Sequence, residues 1–386
     1  MFEKLLSGQP SGIFGIGYDD PTTVGIICTI ILLIMVVSGV RVVFAASIAG
    51  IIGLVELIGV GPALGNIGAI PYSKSVTFVL GLLPIFILIG FLAYQAGMTR
   101  QLYEAAKAWI GFVPGGLAVA TVFATAGFAA VSGASTATAA VFSRVAIPEM
   151  LKEGYDKKLA AGVVAAGGTL ASLIPPSAIL IIYAIIVEES VGALLLAGFL
   201  PGIFSAIVYG GIIIIWAKMN PDLGPPGRRY SFNEKMKALP GIIPIAIVIT
   251  VIISAIYAGW ATPTEAGALG AFVVLIIAIM RGLKLQALNF ALIETAKLVA
   301  MIFSIIWGVL IFVRFLGFSG LPETFANWII SLPFDPYTVL ILILLGYVIL
   351  GMFIDAIGLL LLTLPVVYPA IILLNGGPDV TADQSP

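Results

Sequence analysis

The sequence predicts an all-α polytopic membrane protein, built as an inverted repeat with two re-entrant hairpins and broken helices. Three observations carry this reading. Apolar residues make up 61% of the 386-residue chain and charged residues 10%, against roughly 45–50% and about 25% in soluble proteins. The stretches Ser75–Thr99, Leu159–Val187, Ser190–Ala217 and Ala238–Thr264 each run 25 or more residues without a charge, and a helix crosses the hydrocarbon core with about 20. Two further stretches, 108–143 with no charge and 336–378 with only Asp355, are too long for one straight crossing.

Residue inventory narrows the chemistry. The chain has no histidine and a single cysteine, Cys28. Zinc hydrolysis, histidine-ligated haem, Ser-His-Asp catalysis, thiolate metal sites and a disulfide framework are therefore excluded, and no enzyme is expected. A net charge of −1 offers no basic field for nucleic acid.

Taken in order, residues 1–23 read as a polar or interfacial segment without the apolar core of a secretory signal. Spans are expected at 24–40, 42–61, 76–98, 159–187, 191–217, 239–258, 264–280 and 297–315. The first repeat covers 24–217 and holds a hairpin at 108–148, whose middle is rich in small and hydroxylated residues. Residues 218–238 form a cytoplasmic linker. An incomplete second repeat covers 239–375 with a hairpin at 336–372, and 376–386 form a polar tail. Backbone that turns inside a membrane must be buried in protein or line a cavity.

Lysine and arginine set the orientation. One arrangement places 14 of the 18 basic residues inside, leaves Lys4, Lys74 and Arg314 outside, and assigns Arg144 to the first hairpin. It puts the N-terminus outside, with the two hairpins entering from opposite faces. A shift of 219 residues aligns Leu102 with Leu321, Glu104 with Glu323, Trp109 with Trp328 and Pro114 with Pro333. Each set is an amphipathic arm between a span and a hairpin, as expected for a transporter built from inverted repeats.

Three motifs carry chemistry. The run Ser132 to Thr138, SGASTAT, allows tight backbone approach and offers hydroxyls; helix packing is the alternative use of such residues. The run Gly167 to Ser177, GGTLASLIPPS, places two prolines inside an uncharged span. They remove two amide donors and free carbonyls around Ala171–Ile174. In lipid those carbonyls need partners, and neutral oxygens suit sodium better than a divalent ion. The third motif is Gly351 to Asp355, followed by Thr363 and Pro365. Asp355 is either a functional intramembrane carboxylate or a structural hydrogen-bond partner of the hairpin backbone. Thr136, Thr138, Thr169, Pro176, Ser177 and Thr363 are the candidates to meet a solute.

At these residues the chain resembles a known family. SGASTATAA from Ser132, GGTLASLIPPSAILIIY from Gly167, AGFLPGI from Ala197, ATPTEAGALGA from Ala261 and GMFIDAIGLLLLTLPVVYPAI from Gly351 are similar to the large membrane (M) subunit of tripartite ATP-independent periplasmic (TRAP) transporters. The resemblance implies an elevator-type transport domain in a bacterial inner membrane, a small membrane (Q) subunit, a periplasmic solute-binding protein and sodium-driven uptake of a carboxylated solute. It implies a first sodium site at Ser132, Ser135, Ala171, Ile174 and Pro175, with alanine at 171 where the family commonly has glycine. It implies a second sodium site at Gly351 and Asp355, completed by a Thr-Pro-Pro-bearing helix after the second hairpin. The 386 residues end in the polar tail instead, so the chain alone is expected to lack coupled transport. A carrier that needs no binding protein and an inactive scaffold subunit are the competing readings.

Overall fold

The computed structural model describes residues 20–75, 78–187, 189–354 and 356–374. Among them lie seventeen α-helices and no strand. In chain order they are α1 Pro21–Val37, α2 Val42–Ile58, α3 Val60–Ser75, α4 Leu82–Gln95, α5 Met98–Ile110, α6 Gly116–Ser132, α7 Ser135–Lys152, α8 Lys157–Thr169, α9 Ala178–Val187, α10 Val191–Met219, α11 Phe232–Ala238, α12 Ile243–Tyr257, α13 Pro263–Met280, α14 Leu285–Ser319, α15 Leu321–Ser331, α16 Pro336–Gly351 and α17 Ala356–Leu374. By length and composition α10, α13, α14 and α17 each suffice to cross a membrane, and the pairs α4/α5 and α11/α12 are bent by 69° and 49°. The N-terminal polar segment up to residue 19, the C-terminal tail and Asp355 lie outside the described residues.

Local chemistry sets most helix ends. Asp20, Asp156, Ser190 and Asp335 cap their helices with side-chain oxygens. Thr262 and Glu265 form a capping box in which the Thr262 amide donates to Glu265 Oε2 at 2.7 Å, so Glu265 serves as a helix start. Residues 60–75, which lie mostly between the spans expected at 42–61 and 76–98, are helical despite Pro62 and Pro71. There Asn66 Nδ2 donates back to the Pro62 carbonyl at 2.9 Å. The span expected at 297–315 is the middle of a 35-residue helix, about 52 Å long at 1.5 Å per residue.

Packing separates two compact units. One is Phe78–Val299; the other draws on Met1–Thr77 and Ala300–Pro386. These units follow packing rather than the order of elements, so their edges differ from those expected for the repeats. In the first unit, Gly97 in the left-handed region (φ 72°) turns α4 into the amphipathic arm α5. In the second, Gly320 (φ 64°) turns α14 into the amphipathic arm α15. Each arm leads into a helical hairpin, α6/α7 or α16/α17, which is the repeated order of elements seen in the sequence.

The two hairpins differ in their surroundings. Fourteen residues of α6 are buried, mostly Ala, Gly, Val and Thr. Thr121 and Thr125 satisfy their hydroxyls on carbonyls of their own helix at 2.8–2.9 Å. Phe128 and Phe142 lock the two arms edge to face, with ring centroids 5.7 Å apart. In α16 only Val339 is buried; it joins Ala326, Ile329 and Ala370 in a small core shared with α15 and α17.

Candidate functional site

The site candidates of the first half gather where the α6/α7 hairpin meets the break between α8 and α9. The hairpin turns at Gly133 (φ 60°) and Ala134, which is extended. At Gly133 a Cβ would sit 2.4 Å from the Pro176 carbonyl oxygen, so both the backbone angle and the close approach demand glycine. Ser132 and Thr138, one on each arm, are fully buried with their hydroxyl oxygens 2.8 Å apart.

The break follows from which amides remain to donate. In a continuous helix the carbonyls of Ala171 and Ser172 would accept from residues 175 and 176, both prolines, which have no N–H. The Ile174 carbonyl would accept from Ala178. That amide donates instead to the Gly133 carbonyl, at 2.8 Å. The Ser172 carbonyl recovers a donor in the Ser177 hydroxyl at 2.7 Å. Leu170 closes the upstream end by accepting from Leu173 at 3.1 Å and Ile174 at 2.8 Å. Ala171 and Ile174 thereby lose their helical donors inside a buried junction.

The structure thus brings Ser132 and Ser135 to the same junction as Ala171, Ile174 and Pro175. The Ser135 carbonyl lies 3.2 Å from where a Cβ on Gly168 would be. Pro176 and Ser177 are buried in the break and Thr138 in the hairpin, whereas Thr136 and Thr169 are exposed. Thr169 Oγ1 donates to the Ala166 carbonyl at 2.6 Å. Thr363 belongs to the other unit, within the second hairpin, where its hydroxyl donates to the Leu359 carbonyl and lies 2.7 Å from Tyr347 Oη. Gly351 ends α16 in an exposed position.

Sequence reasoning overlooked two supports of the junction. On α10, Gly198 and Gly202 face the break: a Cβ at Gly198 would meet the Leu173 oxygen at 2.4 Å, and one at Gly202 would meet Ile174 Cγ1 at 2.6 Å. The small residues at 198, 202, 206 and 210 recur every four positions, which was the available signal. The second support is the linker, which is tied to the base of the first hairpin. Gly115 N donates to Gly224 O at 3.0 Å, Gly227 N to Gly111 O at 2.9 Å and Asp156 N to Leu223 O at 3.0 Å. Tyr155 Oη accepts from the Leu117 amide at 3.0 Å and donates to the Pro225 carbonyl at 2.8 Å. No local pattern marks Tyr155 for that role.

Comparison with known proteins follows the same residues. Residues 23–378 match the family model for the tripartite ATP-independent periplasmic transporter, DctM component. The chain is 33% identical over 302 residues to the C4-dicarboxylate TRAP transporter large permease protein DctM of Pseudomonas aeruginosa, spanning 77% of this chain and 70% of that protein. It is 31% identical to the sialic acid TRAP transporter large permease protein SiaM of Vibrio cholerae, over 76% of this chain and 68% of that one. It is 28% identical to the isethionate TRAP transporter permease protein DctMQ of Oleidesulfovibrio alaskensis, over 84% of this chain and 51% of that protein, so it spans about half of that relative. Because the family model runs through both hairpins and the helix break, the chain belongs to the DctM component family of TRAP transporters, which are multi-pass membrane transport subunits and not enzymes.

Proposed function

We propose that this chain is the membrane subunit of a sodium-coupled secondary transporter that imports a carboxylated organic solute delivered by a periplasmic binding protein. It works in a bacterial inner membrane beside a small membrane (Q) subunit, with its N-terminus on the periplasmic side. The observation that carries this reading is the docking of the Gly133 tip on the helix break, with the Ala171 and Ile174 carbonyls deprived of helical donors. Freed carbonyls at a broken helix are the means by which secondary transporters hold a coupling cation.

Sodium would be held by oxygens of Ser132, Ser135, Ala171, Ile174 and Pro175. Among the described residues no three Asp, Glu, Cys or His side chains converge as a metal site, and a neutral oxygen cage favours a monovalent ion. A second ion belongs at Gly351 with Asp355. Thr136, Thr138, Thr169, Pro176 and Ser177 are the candidates to meet the solute in the first unit and Thr363 the candidate in the second, and an elevator movement carries the hairpin and the break together. The C4-dicarboxylate, sialic acid and isethionate in the relatives' names are all small organic anions, the first two carboxylated and the third a sulfonate, which supports an organic-acid solute.

The test is uptake into proteoliposomes holding this chain followed by a Thr-Pro-Pro-bearing helix and a further span, together with its small subunit and its binding protein. A sodium gradient should drive uptake of a labelled organic acid. Ser135→Leu, which fills the junction and removes a hydroxyl, should abolish that dependence. Sodium-independent uptake without that substitution, or unchanged sodium dependence in the variant, would refute the reading.

A further inference from the structure

A polar cavity lies apart from the helix-break junction. It measures about 620 Å³, is open on one side, and is lined by the arm α5, the C-terminal half of α7, and α11 with the residues beside it. Five cationic side chains line it, Arg100, Lys107, Arg144, Lys152 and Lys237, together with three carboxylates, Glu104, Glu149 and Glu234.

Every one of those carboxylates is already engaged. Glu104 pairs with Arg100 at 3.0 Å and Glu149 with Lys107 at 2.8 Å. Glu234 accepts from Arg228 and from the Ser231 amide, both at 2.7 Å. Arg228, which is outside the lining, also covers the Tyr230 ring at 5.4 Å and fixes that wall. Lys152, Arg144 and Lys237 form no ion pair among the described residues. Arg144 and Lys152 are eight residues apart on one face of α7, with Pro148 between them also lining the cavity, and Lys237 stands on α11. Three cations outside those ion pairs, from two elements, line one cavity of ligand size, in which five cationic side chains face three carboxylates.

We propose that this cavity is an anion-binding site for a carboxylate or phosphate group, held by Arg144, Lys152 and Lys237. The guanidinium offers a bidentate fork and the two ammonium groups offer point charges. The inference rests on the cavity lining alone and stands whether or not the sodium reading holds. The anion has two chemical sources, a free small anion or an anionic phospholipid headgroup, and one experiment separates them.

The purified full chain in phosphatidylcholine nanodiscs is titrated with inorganic phosphate and with succinate at low salt, using potassium chloride of equal ionic strength as the control. Protein extracted directly from membranes is examined by native mass spectrometry for retained phosphatidylglycerol. The triple variant Arg144→Gln, Lys152→Gln, Lys237→Gln changes exposed side chains. It should raise the Kd for the free dianions about tenfold or more, from roughly two- to fivefold per exposed charge. Should the triple variant fail to fold, Lys237→Gln alone, on the short helix α11, should show the two- to fivefold part. Saturable dianion binding lost in the variant supports the site with a free anion as ligand. No free-anion binding, together with phosphatidylglycerol adducts lost in the variant, supports it with a lipid headgroup. Equal affinity in unaltered and variant chains, a matching response to chloride, or neither ligand bound would overturn it.

Discussion

Replacing Gly133 with alanine tests the junction most directly. The substitution acts in two separable ways. At φ 60° an alanine loses roughly 1–2 kcal/mol to left-handed strain. Its Cβ would also fall 2.4 Å from the Pro176 oxygen, and relieving such overlap with backbone typically costs about 1–3 kcal/mol. The tip must retreat, stretching the 2.8 Å bond from the Ala178 amide. Gly154→Ala isolates the first effect, because Gly154 has φ 82° and no heavy atom lies within 4 Å of its Cβ position. Thermal melting of the purified chain, with and without sodium, provides the assay. Sodium at about a hundred times its Kd should stabilise the unaltered chain and Gly154→Ala by roughly 2.7 kcal/mol. Gly133→Ala should melt below Gly154→Ala by an amount reflecting the extra 1–3 kcal/mol or so, and should lose the sodium response. Equal melting of the two variants, or a sodium response retained in Gly133→Ala, would refute the reasoning.

Three further outcomes are expected. Tyr155→Phe leaves the Leu117 amide and the Pro225 carbonyl without their shared partner, at a cost of about 1–3 kcal/mol where such groups are buried; hydrogen exchange should quicken at Leu117 and through 223–227, and unchanged exchange would contradict the strap. In a Cys28→Ser background, an impermeant thiol reagent on intact cells should label a cysteine at Lys74 and spare one at Arg228; the reverse pattern would invert the orientation argued from the basic residues. The Ser231 amide and hydroxyl, with Arg228, hold the Glu234 carboxyl below its ordinary range. A lowered folded-state pKa stabilises above the unfolded value of about 4.3 and is lost as pH falls through the folded one, so acid should loosen α11 in the unaltered chain, with a smaller pH response in Glu234→Gln; identical acid profiles would show that the capping box contributes nothing.

Much of the architecture was legible because it depends on local composition. Uncharged runs marked the spans, runs too long for one crossing marked both hairpins, and Pro175 with Pro176 marked the break to within a few residues. The helix at 60–75 falls mostly between two expected spans; its Pro62 sits in the first turn, where a proline forfeits no helical bond, and Pro71 lies inside it. The exposed face of α16 had no signal at all, since its apolar residues would read the same whether lipid or protein covered them.

The candidate site divides along the same line. Loss of the helical donors to Ala171 and Ser172 is a covalent consequence of two prolines, and the sequence alone determines it. What answers the loss is decided by tertiary structure. Ala178 gives its amide to Gly133, 45 residues earlier in the chain by subtraction of their numbers, and Gly198 and Gly202 let α10 close over the break. Thr136 and Thr138 look alike in the motif, yet one is exposed and the other buried against Ser132. A missing N–H is a property of one residue. A partner for the orphaned carbonyl depends on how closely distant backbones can pack, and no local pattern encodes that distance.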